Sequence, residues 1–235
     1  MKIRSIVNVS CCLALLSMST GVAAQSELRW HNVDINQQNR EPRRAVFFAY
    51  ESMDKAQSFD KKNSANYLSM EGMWKFNFVK DHNKRPANFF AVNYDDSNWK
   101  DFPVPGLFEL NGYGDATYKN VGYAWETQFD PNPPYISEIN NYTGSYRCTF
   151  ELPKDWKGKD VYFHVGSATS NLTLWVNGKY VGYSEDSKVA AEFNISKYLK
   201  PGKNLIAMQV MRWCDGSYFE DQDFWRFTGI AREVY

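Results

Sequence analysis

Leu172-Thr-Leu-Trp-Val176, then Asn177-Gly178, then Lys179-Tyr-Val-Gly-Tyr183: this stretch decides the fold. Two short runs rich in β-branched and aromatic residues flank a dipeptide that accepts positive φ at both positions. A type I′ hairpin turn demands that pair. Strand signals continue outward on both sides. Downstream, Ala190 to Ile195 leads through Tyr198-Leu199 to the turn Pro201-Gly202, and Leu205 to Trp213 is a near-continuous apolar run. Such a run suits a strand covered on both faces. Upstream, Tyr146 to Leu152 stops at Pro153, and Val161 to Val165 follows. Further back, Trp74, Phe76 and Phe78 alternate with Lys75 and Asn77, which marks a half-buried strand. No amphipathic stretch exceeds about ten residues, so helix is minor. Many short strands at close spacing predict an all-β, two-sheet sandwich.

Other segments read differently. Residues 25–66 are polar and irregular, with Arg40, Arg43 and Arg44 around Pro42. They predict an extended arm on the surface, with a short helix near Ser52 to Gln57. Residues 81–143 hold most of the prolines among Gly, Asn and Asp, which predicts long loops. The first 24 residues read as a cleaved export signal. Lys2 and Arg4 precede a short apolar run from Ile6 to Met18, and Val22-Ala23-Ala24 offers small residues before Gln25. That run is too short to anchor in a bilayer, and Cys11 and Cys12 lack a convincing lipoprotein box.

Length and charge bound the rest. The 235 residues suffice for one good-sized domain with a real core or for two small ones. Lys+Arg and Asp+Glu both number 27, so no net field draws nucleic acid or anionic lipid. Aromatics at 17% suit a β-rich fold or a ring-lined surface. After export only Cys148 and Cys214 remain. Cys148 reads as a small hydrophobe on a strand face, while a bridge to Cys214 stays open. His31, His82 and His164 are scattered and make no zinc site.

The chain's end concentrates chemistry. From Trp213 to Tyr235, acidic and aromatic residues alternate: Asp215, Tyr218, Phe219, Glu220, Asp221, Asp223, Phe224 and Trp225, then Arg226. Rings cover the apolar face of a pyranose and carboxylates accept its hydroxyl protons. Asp221 and Asp223 share a side in an extended segment. They could share a cation or a hydroxyl, or simply pair with Arg226 and Arg232. Trp74, Trp175 and Trp213 fall in strands and belong to the core. Trp125 and Trp225 lie in polar loops, where a ring can face a ligand. Asn-x-Ser/Thr triplets begin at Asn141, Asn171 and Asn194 and matter only in a glycosylating host. No nucleophile–base–orienter set or phosphate-binding loop occurs, so catalysis by this chain alone is not expected.

Ordered pieces of the chain then resemble a known family. They include Trp30-His-Asn, Glu71-Gly-Met-Trp-Lys-Phe, Asn111-Gly-Tyr-Gly, Tyr118-Lys-Asn-Val and Thr143-Gly-Ser-Tyr-Arg. Leu174-Trp-Val-Asn-Gly-Lys-Tyr-Val-Gly-Tyr-Ser and Arg212-Trp-Cys-Asp-Gly-Ser-Tyr-Phe-Glu-Asp-Gln-Asp-Phe-Trp-Arg-Phe complete the set. The chain resembles the N-terminal part of the large bacterial β-galactosidases of glycoside hydrolase family 2. The resemblance implies a jelly-roll, galactose-binding-domain-like sandwich over residues 67–235, behind the signal (1–24) and the arm (25–66). It implies an enzyme that hydrolyses terminal β-galactosides with retention, and the signal sequence predicts that this enzyme is exported, periplasmic or secreted. The acid/base and nucleophile glutamates, and the magnesium site, would belong to a barrel beyond Tyr235. By motif match, Asn120, with Val121 beside it, and Asp223 would touch galactose, and Asp223 would also ligate a sodium ion. Gly122-Tyr123-Ala124 departs from the family's usual Thr-Tyr-Pro, which puts that loop's shape in question. The partners implied are a β-galactoside and the enzyme's other domains. The arm resembles a segment crossing subunit interfaces in tetrameric relatives, which leaves homo-oligomerisation open. A freestanding carbohydrate-binding module and a complementation fragment docking on a separate barrel are the competing readings.

Overall fold

The computed structural model describes residues 29–220 and 223–235. The export signal, with Cys11 and Cys12, and Asp221 of the acidic pair lie outside the described residues. The strands, in chain order, are β1 (Gln37–Gln38), β2 (Gly72–Val79), β3 (Lys100–Val104), β4 (Gly106–Leu107), β5 (Thr117–Lys119), β6 (Thr143–Leu152) and β7 (Tyr162–Val165). They continue as β8 (Ala168–Thr169), β9 (Asn171–Val176), β10 (Lys179–Glu185), β11 (Ala191–Asn194), β12 (Gly202–Met211), β13 (Phe224–Arg226) and β14 (Gly229–Ile230).

The hairpin forms as its sequence requires. Asn177 and Gly178 have φ of 50° and 81°, and Lys179 pairs with Val176 across the turn. Seven strands build one antiparallel sheet in the order β1-β10-β9-β12-β6-β2-β3. Strand β12 sits at its centre, and from Asn204 to Met211 every residue is buried. The smaller sheets β11-β7 and β4-β14-β8 carry the opposing layer. Between them lies the core. Leu172, Leu174 and Val176 join Ile206, Met208, Val210, Trp74 and Phe76 against Phe163, Val165, Phe193 and Ile230. Each such side chain contributes roughly 1.5–3 kcal/mol when removed from water. The architecture is the all-β sandwich that the strand spacing predicts.

Two close approaches need glycine. A Cβ at Gly182 would stand 2.5 Å from the Gln38 carbonyl and 2.6 Å from the Phe193 ring, so this residue lets β1 and β11 crowd β10. A Cβ at Gly144 would meet Phe108 at 2.4 Å and Phe76 at 2.6 Å.

The region 81–143 differs from the expectation of loops alone, because it supplies β3, β4 and β5. These strands are too short to show a period. Strand β3 tolerates Pro103 because it lies at a sheet edge. One long excursion, residues 85–99, is pinned by Arg147. Its Nε donates to Asp96 (2.6 Å) and its Nη1 to the Ala91 carbonyl (2.9 Å). Over the same face, Phe90 stacks on Trp175 at 5.1 Å.

Residues 29–66 lie along the sandwich. Asn39 Nδ2 donates to the Val181 carbonyl (2.8 Å), Arg40 to Ser184 Oγ (3.0 Å) and Arg44 to Glu192 (2.8 Å). Helix α1 (Met53–Gln57) starts where Ser52 Oγ caps the Lys55 amide.

Candidate functional site

Strands β5 and β13 form a separate two-stranded ribbon, with Phe224 opposite Lys119, Trp225 opposite Tyr118 and Arg226 opposite Thr117. One step beyond this register stand Asp223 and Asn120. Two residues about a hundred positions apart thus reach the same ribbon end, and Val121 follows. The Tyr118 hydroxyl donates to Asp223 Oδ1 at 2.8 Å. That hydrogen bond, more than burial, raises the Tyr118 pKa. Alternation puts Asp223 and Trp225 on one face of β13, Phe224 and Arg226 on the other. Tyr118 and Trp225 lie 5.5 Å apart, and Trp225 stacks on Phe227 at 5.9 Å with planes 4° from parallel. Tyr118 and Trp225 are each 51% exposed and Val121 76%, so this face offers half-open rings beside a carboxylate.

Buried cations hold the ribbon in place. Arg226 pairs with Glu220, donates to the Arg212 carbonyl (3.3 Å) and lies over the Trp213 ring (5.0 Å). Arg212 reaches across to Thr117 Oγ1 at 2.7 Å. Thr228, just past the ribbon, donates its amide and hydroxyl to the two Glu109 oxygens at 2.8 and 2.9 Å. Burial raises the Glu109 pKa. Arg226 and Arg232 have other partners than Asp223. Arg226 takes Glu220 and Arg232 donates to the Lys188 carbonyl, while Asp223 accepts from Tyr118.

Some expectations need correcting. Trp125 does not stand open in its loop. It packs against Tyr123, Phe129 and Tyr218 at 5.9, 5.9 and 5.1 Å, because aromatic neighbours in its own loop fold back with it. Asn141 and Asn171 are buried. Their amides bond the backbone of Trp213 and Met211, which suits structural roles rather than glycan attachment. Cys148 and Cys214 are both free. The departure at Gly122 has a geometric counterpart. Its φ is +80°, and a Cβ there would meet Glu126 Oε2 at 2.6 Å, the carboxylate that pairs with Lys119. A threonine would not fit this loop unchanged.

One cluster escapes sequence reading altogether. Ligand atoms of Glu185, Cys214 and Asp215, all buried, lie within 4.8 Å of one another. Tyr183 donates its hydroxyl to Glu185, and burial beside Asp215 pushes the Glu185 pKa up to about 9. A shared proton or a bound cation would each relieve the crowded charge. The partners come from the end of β10 and the turn after β12, and Asp215-Gly216-Ser217 reads as an ordinary turn. For the sodium ion implied at Asp223 the chemistry is apt but incomplete. Asp223, the Tyr118 oxygen and Asn120 are oxygen donors at one ribbon end, yet hard cations take about six or more. Among the described residues, Asp223 belongs to no three-donor acidic group.

Fold and ribbon together define a class: a β-sandwich domain with a ring-and-carboxylate face at one edge. Residues 67–235 match the model of the glycosyl hydrolases family 2 sugar binding domain, and the chain belongs to that family. Among curated relatives, the beta-galactosidase of Priestia megaterium is 40% identical over 205 residues, 87% of this chain and 20% of that protein. The beta-galactosidase of Halalkalibacterium halodurans is 35% identical over 211 residues, 89% and 21% respectively. This chain spans about a fifth of the length of such relatives. A beta-glycosidase structure from Bacteroides vulgatus superposes with a TM-score of 0.52 at 27% identity, covering 72% of this chain and 19% of that one. A Bacteroides uniformis beta-glucuronidase shares the fold at a TM-score of 0.53 and 24% identity, covering 71% and 17%.

Proposed function

We propose that this chain is the sugar-binding domain of an exported β-galactosidase that cleaves terminal β-galactosides with retention. Its β5–β13 ribbon forms one wall of the galactose pocket. The observation that carries this reading is the register that brings Asn120 and Asp223 to one ribbon end, beside exposed Tyr118 and Trp225.

The chemistry assigned to each residue is modest. Ionised Asp223 accepts a hydroxyl proton through the oxygen that Tyr118 leaves available, and Tyr118 holds the carboxylate in place. Asn120 can donate and accept, which suits a neighbouring hydroxyl on the same ring. Val121 and Trp225 provide the apolar wall on which a sugar's C–H face rests. Sodium, when bound, would supply positive charge to sugar hydroxyl oxygens, with Asp223 as one of its ligands. Proton transfer and nucleophilic attack fall to two carboxyl groups a few ångströms apart across the sugar, which a separate barrel would provide along with the magnesium site.

Two experiments test this reading. The 235-residue chain alone should show no hydrolysis of a chromogenic β-galactoside, and robust turnover would contradict the division of labour. Export is tested by sequencing the mature N-terminus: Gln25 is expected, and an uncleaved Met1 would remove the export assignment.

A further inference from the structure

On the other face of β13, away from Asp223 and Trp225, lies a cavity of about 390 Å³ between the ribbon and the loop 186–189. We propose that it is a second saccharide site, which takes a sugar bearing a carboxylate or sulfate and uses Lys188 as its counterion. Its volume lies at the lower end of the range of small-molecule sites.

The polar lining fits an anion. Lys188 Nζ is 3.3 Å from Thr169 Oγ1 and 4.6 Å from the centre of the Phe224 ring. Both carboxylates of the described lining are already engaged. Glu220 pairs with Arg226 and accepts from the Ser187 amide and hydroxyl, each at 3.0 Å, while Asp186 pairs with Arg43. Lys188 forms no ion pair among the described residues. Burial, and then the Arg226 charge, push its pKa down to about 8, the response of an ammonium short of counterions. The apolar lining fits a sugar: Phe224 forms one wall, and the Phe219 ring stands 78% exposed at the rim.

The backbone points the same way. Asp186 and Lys188 are non-glycine residues at φ of 89° and 78° within one short loop. Such conformations persist where the surroundings impose them, and they cluster at ligand sites. In this loop Ser187 bonds Glu220 and Lys188 lines the cavity.

Calorimetric titration of the protein at its natural length tests the proposal, using galacturonate, galactose 6-sulfate, neutral galactose and inorganic sulfate as probes. Both acidic sugars should bind saturably, and Lys188→Met should weaken them by at least about tenfold. Binding of neutral galactose should be unchanged in that variant, which also shows that it folds. Lys188→Gln carries the test should Lys188→Met fail to fold. Asp223→Asn should do the reverse, weakening galactose and sparing the acidic sugars, so the two sites stand or fall separately. Acidic sugars that bind no better than galactose, or indifferently to the Lys188 change, would overturn the proposal. So would inorganic sulfate binding as tightly as the sugars.

Discussion

Asp223 and His82 show how position sets the task of a polar side chain. Asp223 is exposed and keeps one oxygen on Tyr118, which suits the ligand contact proposed for it. His82 is the opposite case. It is 4% exposed, bonded through Nδ1 to Thr143 Oγ1 at 3.0 Å and packed edge-on against Trp30 at 4.9 Å. Burial, reinforced by the charge of Arg85, lowers its pKa from 6.5 to about 3. The sign follows from linkage. The unfolded chain takes up a proton near pH 6.5 that the fold refuses down to about pH 3, so stability falls as pH drops through that window. The slope is at most about 1.4 kcal/mol per pH unit for one proton. Denaturant melts of His82→Gln from about pH 6 to about pH 4 should show a shallower decline than the parent. An unchanged slope would mean that His82 does not titrate as its burial requires.

At the scale of elements, two glycines separate strain from crowding. Gly178 needs its positive φ, but a Cβ there meets nothing closer than 3.8 Å. Gly178→Ala should therefore cost only about 1–2 kcal/mol of backbone strain. Gly144 sits against Phe108 and Phe76, so Gly144→Ala forces core rings to move and should cost roughly 1–3 kcal/mol or more. Urea unfolding of both variants checks the ranking, and a Gly178 change costing more than the Gly144 change would contradict it. The same contrast explains what was legible beforehand. The hairpin at Asn177-Gly178, the run into Met211 and the alternation around Trp74 announce themselves through local period and turn chemistry. Strands β3, β4, β5 and β13 do not, because two to five residues carry no period and their pairing is settled by distant partners. Asn120 and Asp223 were legible only as separate motif matches. Their convergence depends on the β5–β13 register, which Arg212 and Arg226 secure from beneath. Glu185 gave no signal and Asp215 stood out only within the acidic run at the chain's end, since neither residue has a local pattern that betrays the other.

For the whole molecule, the division of labour is the central point. A sandwich of this size buries ample apolar surface to stand as a domain, and buried Arg147, Arg212 and Arg226 hold its loops and ribbon in place. The face proposed for galactose is narrow: one carboxylate, one amide and two half-exposed rings. In the proposed reading such a face selects and orients a sugar and leaves bond cleavage to a separate barrel, and the chain spans about a fifth of its relatives. The most direct measurement is kcat/KM for an aryl β-galactoside in the full-length enzyme carrying Asp223→Asn. Loss of one charged hydrogen bond to the sugar should lower it about 10- to 100-fold with the fold unchanged. A value equal to that of the parent enzyme would place the ribbon outside the galactose site and contradict the account.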